Sequence, residues 1–177
     1  MSTSTLIAPT VVPPPAGVLQ VWSDLLCPFT HVALHQLRVT QAALAPQDPA
    51  RVVELEHHVF PLELFNGPHP RRGTDTEAVG LGQIAPDAGF HVWTAADDLY
   101  PHTVLLAAEA VLAAGRQSRT AATALDAALR TAFWTHSRSI AHRAVVLEVP
   151  SRSPTPAHHW MSRRSPRTWT PAAAAPT

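Results

Sequence analysis

Two stretches of strand character separated by a helix-length segment constrain this chain more than any other feature. Val18–Asp24 (VLQVWSD) is rich in Val, Leu and Trp and has the length of a strand. Arg51–Phe60 alternates Val53, Leu55, His57 and Val59 with Val52, Glu54, Glu56 and His58, a period of two. Between them, Phe29–Ala45 places Phe29, Ala33, Leu37 and Leu44 at helical spacing. Pro28 suits a first helical position, and Pro46 and Pro49 stop the helix. Strand, helix and strand of these lengths predict a right-handed βαβ unit with parallel strands, hence an α/β fold.

Downstream, Pro61–Tyr100 is interrupted by Gly67, Gly73, Gly80, Gly82 and Gly89. A structureless loop of that length is uncommon, so a lid or partly helical insertion is expected. Three helices should follow. Pro101–Ala114 is stopped by Gly115 as a C′ residue, Ser118–Thr135 opens on a Ser118 cap, and Ser139–Val149 ends at Pro150. Leu125, Leu129 and Phe133 recur every four residues, and the Ala-rich composition suits closely packed helices. Residues 1–17, rich in Ser, Thr and Pro, should be disordered.

Charge divides the 177 residues unevenly. Residues 1–150 hold nine arginines and thirteen acids, whereas 151–177 hold four arginines and no acid. The neutral total therefore hides an acidic body and a basic tail. That tail (150–177) has no Leu, Ile or Phe and no period, so it should be disordered. Four arginines without an organised surface are a weak nucleic-acid signal, and none is expected to bind there. The 46% hydrophobic content supports a core, and no apolar run reaches membrane-spanning length. The N-terminus lacks a basic n-region ahead of its Pro-broken apolar stretch, so a cytoplasmic location is expected.

Cys27 is the single cysteine, which excludes an internal disulfide or a multi-cysteine metal site. It lies where the first strand gives way to the helix. A helix N-terminus offers unpaired N–H groups and partial positive charge, both favouring a thiolate, so the position suits a reactive thiol. The plainer alternative is a small buried core thiol. His31, one turn on, would stabilise a thiolate if protonated. Asp24 is a better candidate for a cap of the following helix than for a proton acceptor near the thiol. His31 and His35 are four apart, as are Cys27 and His31, but eight residues of helix span about 12 Å, so all three cannot share one metal. Solvent-facing histidines explain them better. His57–His58 reads as a strand pair with one ring buried and one exposed, and Trp22, Trp93 and Trp134 as core or interface aromatics.

Residues 18–149 resemble the DsbA-like branch of the thioredoxin superfamily, especially FrnE-type oxidoreductases and 2-hydroxychromene-2-carboxylate isomerases. The likeness rests on VWSDLLCPFTHVA (21–33), VELEHHVFPLEL (53–64) and the helical stretch from Pro101-His102-Thr103 to SRSIA. It implies a thioredoxin-like βαβ unit with a helical insertion at about 86–149. It also implies thiol–disulfide exchange with Cys27 as nucleophile, tuned by Thr30 and His31, with Pro28 and Phe29 against the substrate. A small-molecule thiol or a protein disulfide would be the partner. No bound cofactor is implied, with glutathione as a candidate co-substrate. Two departures stand out. Thr30 occupies the place of the resolving cysteine, which leaves its hydroxyl to hydrogen-bond the sulfur. The family's cis-proline loop, its last two strands and its final helix have no counterpart here, as in a truncated or frameshifted member. The alternatives are a glutathione-dependent isomerase or transferase, and a non-catalytic remnant that binds a partner through its helices.

Overall fold

A computed structural model describes residues 13–152, with side chains to Val149. The predicted disordered tail from 153 and the first twelve residues lie outside the described residues. Two parallel strands, β1 (Val18–Ser23) and β2 (Glu54–Val59), pair in register from Val18 with Glu54 to Ser23 with Val59. Between them runs α1 (Pro28–Leu44), with Pro28 in its first turn and Pro46 just beyond its end. The expected strand–helix–strand order with parallel strands is thus present in an α/β structure. Among the described residues the sheet has only these two strands, so β1 has no second β partner. An isolated two-stranded sheet is marginal in water, so its stability has to come from the helices.

Part of the segment expected to be disordered is ordered. Gly17 takes φ +78°, which a side chain would disfavour, and turns the chain into β1 while its carbonyl accepts from Glu54 N at 2.9 Å. The buried face of α1 also differs from expectation. Pro28, His31, Val32 and Leu34 are buried, whereas Phe29 and Ala33 face outward. Pro28, His31 and Val32 keep the i, i+3, i+4 spacing of one helix face, with Leu34 beside them, and that face is turned away from the one that carries Phe29 and Ala33.

The Gly-punctuated region is partly helical, as expected, with α2 (Glu63–Asn66) and α3 (Arg71–Ile84). α4 (Leu105–Gly115), α5 (Arg119–Trp134) and α6 (Arg143–Arg152) pack on one another, and α4 and α5 also pack on β2. Ser118 Oγ accepts from Ala121 N at 3.0 Å, the predicted cap of α5, worth about 1 kcal/mol. Gly115 is the last helical residue instead of a left-handed C′, because Arg116 continues in the right-handed region. A Cβ at Gly115 would meet Ala122 of α5 at an ordinary 3.7 Å, so the close packing of α4 on α5 there does not require glycine. The helix expected at Ser139–Val149 starts later, at Arg143, and continues through Pro150 to Arg152. The loss of one amide donor there does not end it, and 150–152 belong to α6 instead of the tail.

The core centres on α5. Leu125, Leu129, Phe133 and Trp134 are buried against Val104, Val111 and Ile140, and against Leu25 and Leu26 from the loop after β1. Trp93, Tyr100, Phe133 and Trp134 make a chain of edge and tilted ring contacts 4.8–5.9 Å apart. No helix among the described residues is long and apolar enough to cross a membrane.

Candidate functional site

The loop 24–27 joins the end of β1 to α1 through a tight turn, in which Cys27 N donates to Asp24 O at 3.3 Å. Cys27 is the N-cap residue of α1, with extended backbone angles (φ −75°, ψ 112°), and is partly exposed. Its carbonyl accepts from His31 N at 3.1 Å, the first bond of the helix. Its sulfur makes no capping hydrogen bond. Thr30 is half-buried, and its hydroxyl makes no hydrogen bond to the sulfur among the described residues. The expected Thr30–Cys27 contact is therefore not formed.

His31 requires a correction. Its ring is 2% exposed and lies between Phe90 and Trp134, with Nε2 donating to Ala88 O at 2.8 Å. Burial pushes its pKa down to about 4, against the opposing pull of the Ala88 carbonyl. A ring that is neutral at physiological pH supplies no positive charge to a thiolate. It is also not a solvent-facing histidine, and its Nε2 is already used. Pro28 is buried too, so it starts the helix without presenting a surface to a substrate. Phe29 does present one, being 61% exposed.

Asp24 neither caps α1 nor stands free as a base. Its Oδ1 accepts from Leu26 N at 2.6 Å, and its Oδ2 accepts from Leu62 N at 2.7 Å and from His69 Nε2 at 3.4 Å. Through these bonds it ties the Cys27 loop to the segment after β2. Phe60 N donates to Ser23 O at 3.0 Å, which fastens the same two segments again. That segment is apolar and open to solvent. Phe60 and Phe65 stack at 5.1 Å, and Leu64 and Phe65 (70% exposed) project outward. Trp22, at the end of β1, is likewise exposed and stacks on His58 at 4.5 Å. Among the described residues Trp93 and Trp134 are the buried tryptophans. The cysteine and these aromatic groups all belong to the C-terminal end of the two parallel strands, where open α/β sheets commonly bind ligands.

Behind the loop lies a polar network that the sequence reading missed. Arg130, fully buried on α5, donates to Asp126 Oδ2 at 2.9 Å, to Ser23 Oγ at 3.0 Å and to Leu25 O at 3.4 Å. Trp134 Nε1 also donates to Leu25 O, at 3.3 Å. A carbonyl inside the cysteine turn is therefore held from α5 by two donors. His57 has the buried side chain of the histidine pair, with Nδ1 3.8 Å from Asp126, while His58 is partly exposed. Burial lowers the His57 pKa more than Asp126 raises it. Asp126 and Arg130 stand one position beyond Leu125 and Leu129, at the four-residue spacing of an ion pair, and this was the available signal.

Among the described residues no group of three or more His, Cys, Asp or Glu is arranged to hold a metal ion. No family model matches the chain, and a search of curated proteins finds no match.

Proposed function

We propose that the βαβ unit is a thioredoxin-like one of the DsbA-like kind, and that Cys27 is a single-cysteine nucleophile for thiol–disulfide exchange. The observation that carries this reading is the position of Cys27. It is a partly exposed thiol at the N-cap of a 17-residue helix, at the end of the short loop that follows a parallel strand, and that loop is bonded to an exposed aromatic segment. Unpaired amides and the helix dipole at such a position favour an anion. Phe29, Phe60 and Phe65 offer an apolar rim for the flanks of a disulfide-bearing peptide.

In the step itself, the Cys27 thiolate attacks one sulfur of the substrate disulfide. A Cys27–substrate mixed disulfide forms, and the other substrate half leaves as a thiolate. With Thr30 where a second cysteine would stand, an external thiol must attack the mixed disulfide and release Cys27. Glutathione suits this role, and with it a cytoplasmic setting where thiols are kept reduced.

The test is turnover of a peptide–glutathione mixed disulfide in the presence of reduced glutathione, comparing the chain with Cys27→Ser. Catalysis that disappears in C27S supports the proposal. Tight, non-covalent retention of glutathione without exchange would favour the isomerase-type reading. Absence of both would leave a non-catalytic binding module.

A further inference from the structure

A cleft of about 890 Å³ opens between the second half of α1, the start of β2 and one face of α5. Ligand pockets fall in the range of about 300–1,000 Å³. The cleft does not include Cys27. Arg38, on its α1 wall, is eleven residues along the helix from Cys27, roughly 16 Å of rise.

The α5 wall is a stripe of short side chains at helical spacing, including Thr120, Thr123, Ala124, Ala127 and Thr131. The sheet adds Val53 and Leu55. Three arginines stand around this apolar wall against a single carboxylate, Glu54. Two of them are engaged. Arg119 bonds Glu54 at 3.2 Å and Glu56 at 3.4 Å, and Arg138 bonds Glu148 at 2.5 Å.

Arg38 differs from both. It is partly buried and makes no hydrogen bond or ion pair with any described residue. Asp126 attracts it from a distance, but that carboxylate is already bonded to Arg130, which repels Arg38. A partly buried guanidinium without a partner among the described residues, beside an apolar cavity, is a complementary site for one planar anion. A single disengaged cation does not suit a polyanion.

We propose that this cleft binds an organic monocarboxylate with an apolar body, its carboxylate on the Arg38 guanidinium and its body along the short-side-chain face of α5. The site is separate from the thiol chemistry and stands whether or not Cys27 is a nucleophile.

Calorimetric titration of the full chain with octanoate and with octan-1-ol tests it, because the two share an apolar body and differ in charge. One saturable site is expected, with octanoate at least tenfold tighter. Arg38→Gln should reduce that ratio to about one and leave octanol binding within twofold. Ala127→Leu, which leaves Arg38 untouched and fills the cleft, should weaken both ligands at least fivefold, so the proposal remains testable if R38Q does not fold. Equal affinities, a preference that survives in R38Q, or indifference to A127L would overturn it. So would the absence of saturable binding, the result expected if a second copy or another part of the chain filled the cleft.

Discussion

His69 donates from Nε2 to Asp24 Oδ2 across 3.4 Å, joining the loop that carries Cys27 to the approach to α3. Burial opposes charge on Asp24, but the bonds from His69, Leu26 and Leu62 outweigh it and hold the carboxyl below its usual range. The same bond holds His69 above its ordinary value despite partial burial. The stabilisation from His69 is complete below pH 6.5 and is lost as pH rises through its folded pKa. That from Asp24 is complete above pH 3.8 and is lost as pH falls through its folded pKa. The pair should therefore contribute most between these limits. His69→Gln is expected to lower stability by about 1–2 kcal/mol at pH 5.5 and by less at pH 8, as read from urea unfolding.

His31 acts in the opposite sense. Its pKa of about 4 in the fold lies below the ordinary 6.5, so the unfolded chain binds the extra proton between these values. Stability from this residue is complete above pH 6.5 and falls as pH drops toward 4, by about 3 kcal/mol in all. His31→Gln keeps a donor for the Ala88 carbonyl but does not titrate. Thermal unfolding between pH 7 and pH 4.5 should show a smaller acid loss in H31Q than in the parent. Some acid loss should remain, because His57 is also held neutral by burial.

Arg130→Met removes the partner of a buried carboxylate and two further donated bonds. Leaving Asp126 in the core with only His57 nearby, 3.8 Å away, should cost about 3–5 kcal/mol. Asp126→Asn together with R130M should cost less than the sum of the two single changes. Equilibrium unfolding of the four proteins checks this coupling.

Gly89 has φ +75°, and a Cβ there would meet Thr135 Oγ1 at 2.8 Å, the same oxygen that donates to Gly89 O. Gly89→Ala should destabilise by about 1–2 kcal/mol from backbone strain, with the steric conflict in addition. In a Thr135→Ala background the steric part disappears, so G89A should cost less there. Melting temperatures of the three variants give the comparison.

The parts of this fold that were legible are those where one physical signal dominates. Val53 to Val59 alternate strictly, and Ser118 offers an oxygen to an amide three residues on, so a strand and a capped helix were both predictable. α1 misled because its buried face carries Pro28 and His31 beside Val32 and Leu34, while Phe29 is apolar yet exposed. The helix histidines His31 and His35 read as solvent-facing, and nothing local marked Arg130 as buried. His31 and Arg130 are buried because each found a backbone carbonyl, Ala88 O and Leu25 O, 57 and 105 positions away in the chain. Contacts at that range leave no local pattern. At the candidate site Cys27 was identifiable from its place between strand and helix, whereas His69 depends on a fold-level meeting with Asp24.

The exposed rim gives a functional prediction. Phe29→Ala and Phe65→Ala change residues that are mostly solvent-facing, so unfolding midpoints should stay nearly unchanged. If the rim holds the flanks of a peptide disulfide, kcat/KM for such a substrate should fall about tenfold or less per residue, while exchange with glutathione disulfide alone should be spared. Equal losses on both substrates would argue against peptide binding at the rim.

The most direct measurement of the central claim is the rate at which glutathione disulfide forms an adduct with the single thiol, followed by intact-mass spectrometry. The folded chain and the same chain unfolded in urea are compared at neutral pH. An activating position at the N-cap of α1 predicts one adduct per chain, formed at least tenfold faster in the folded protein and absent in Cys27→Ser. A folded protein that reacts no faster than the unfolded chain would contradict it.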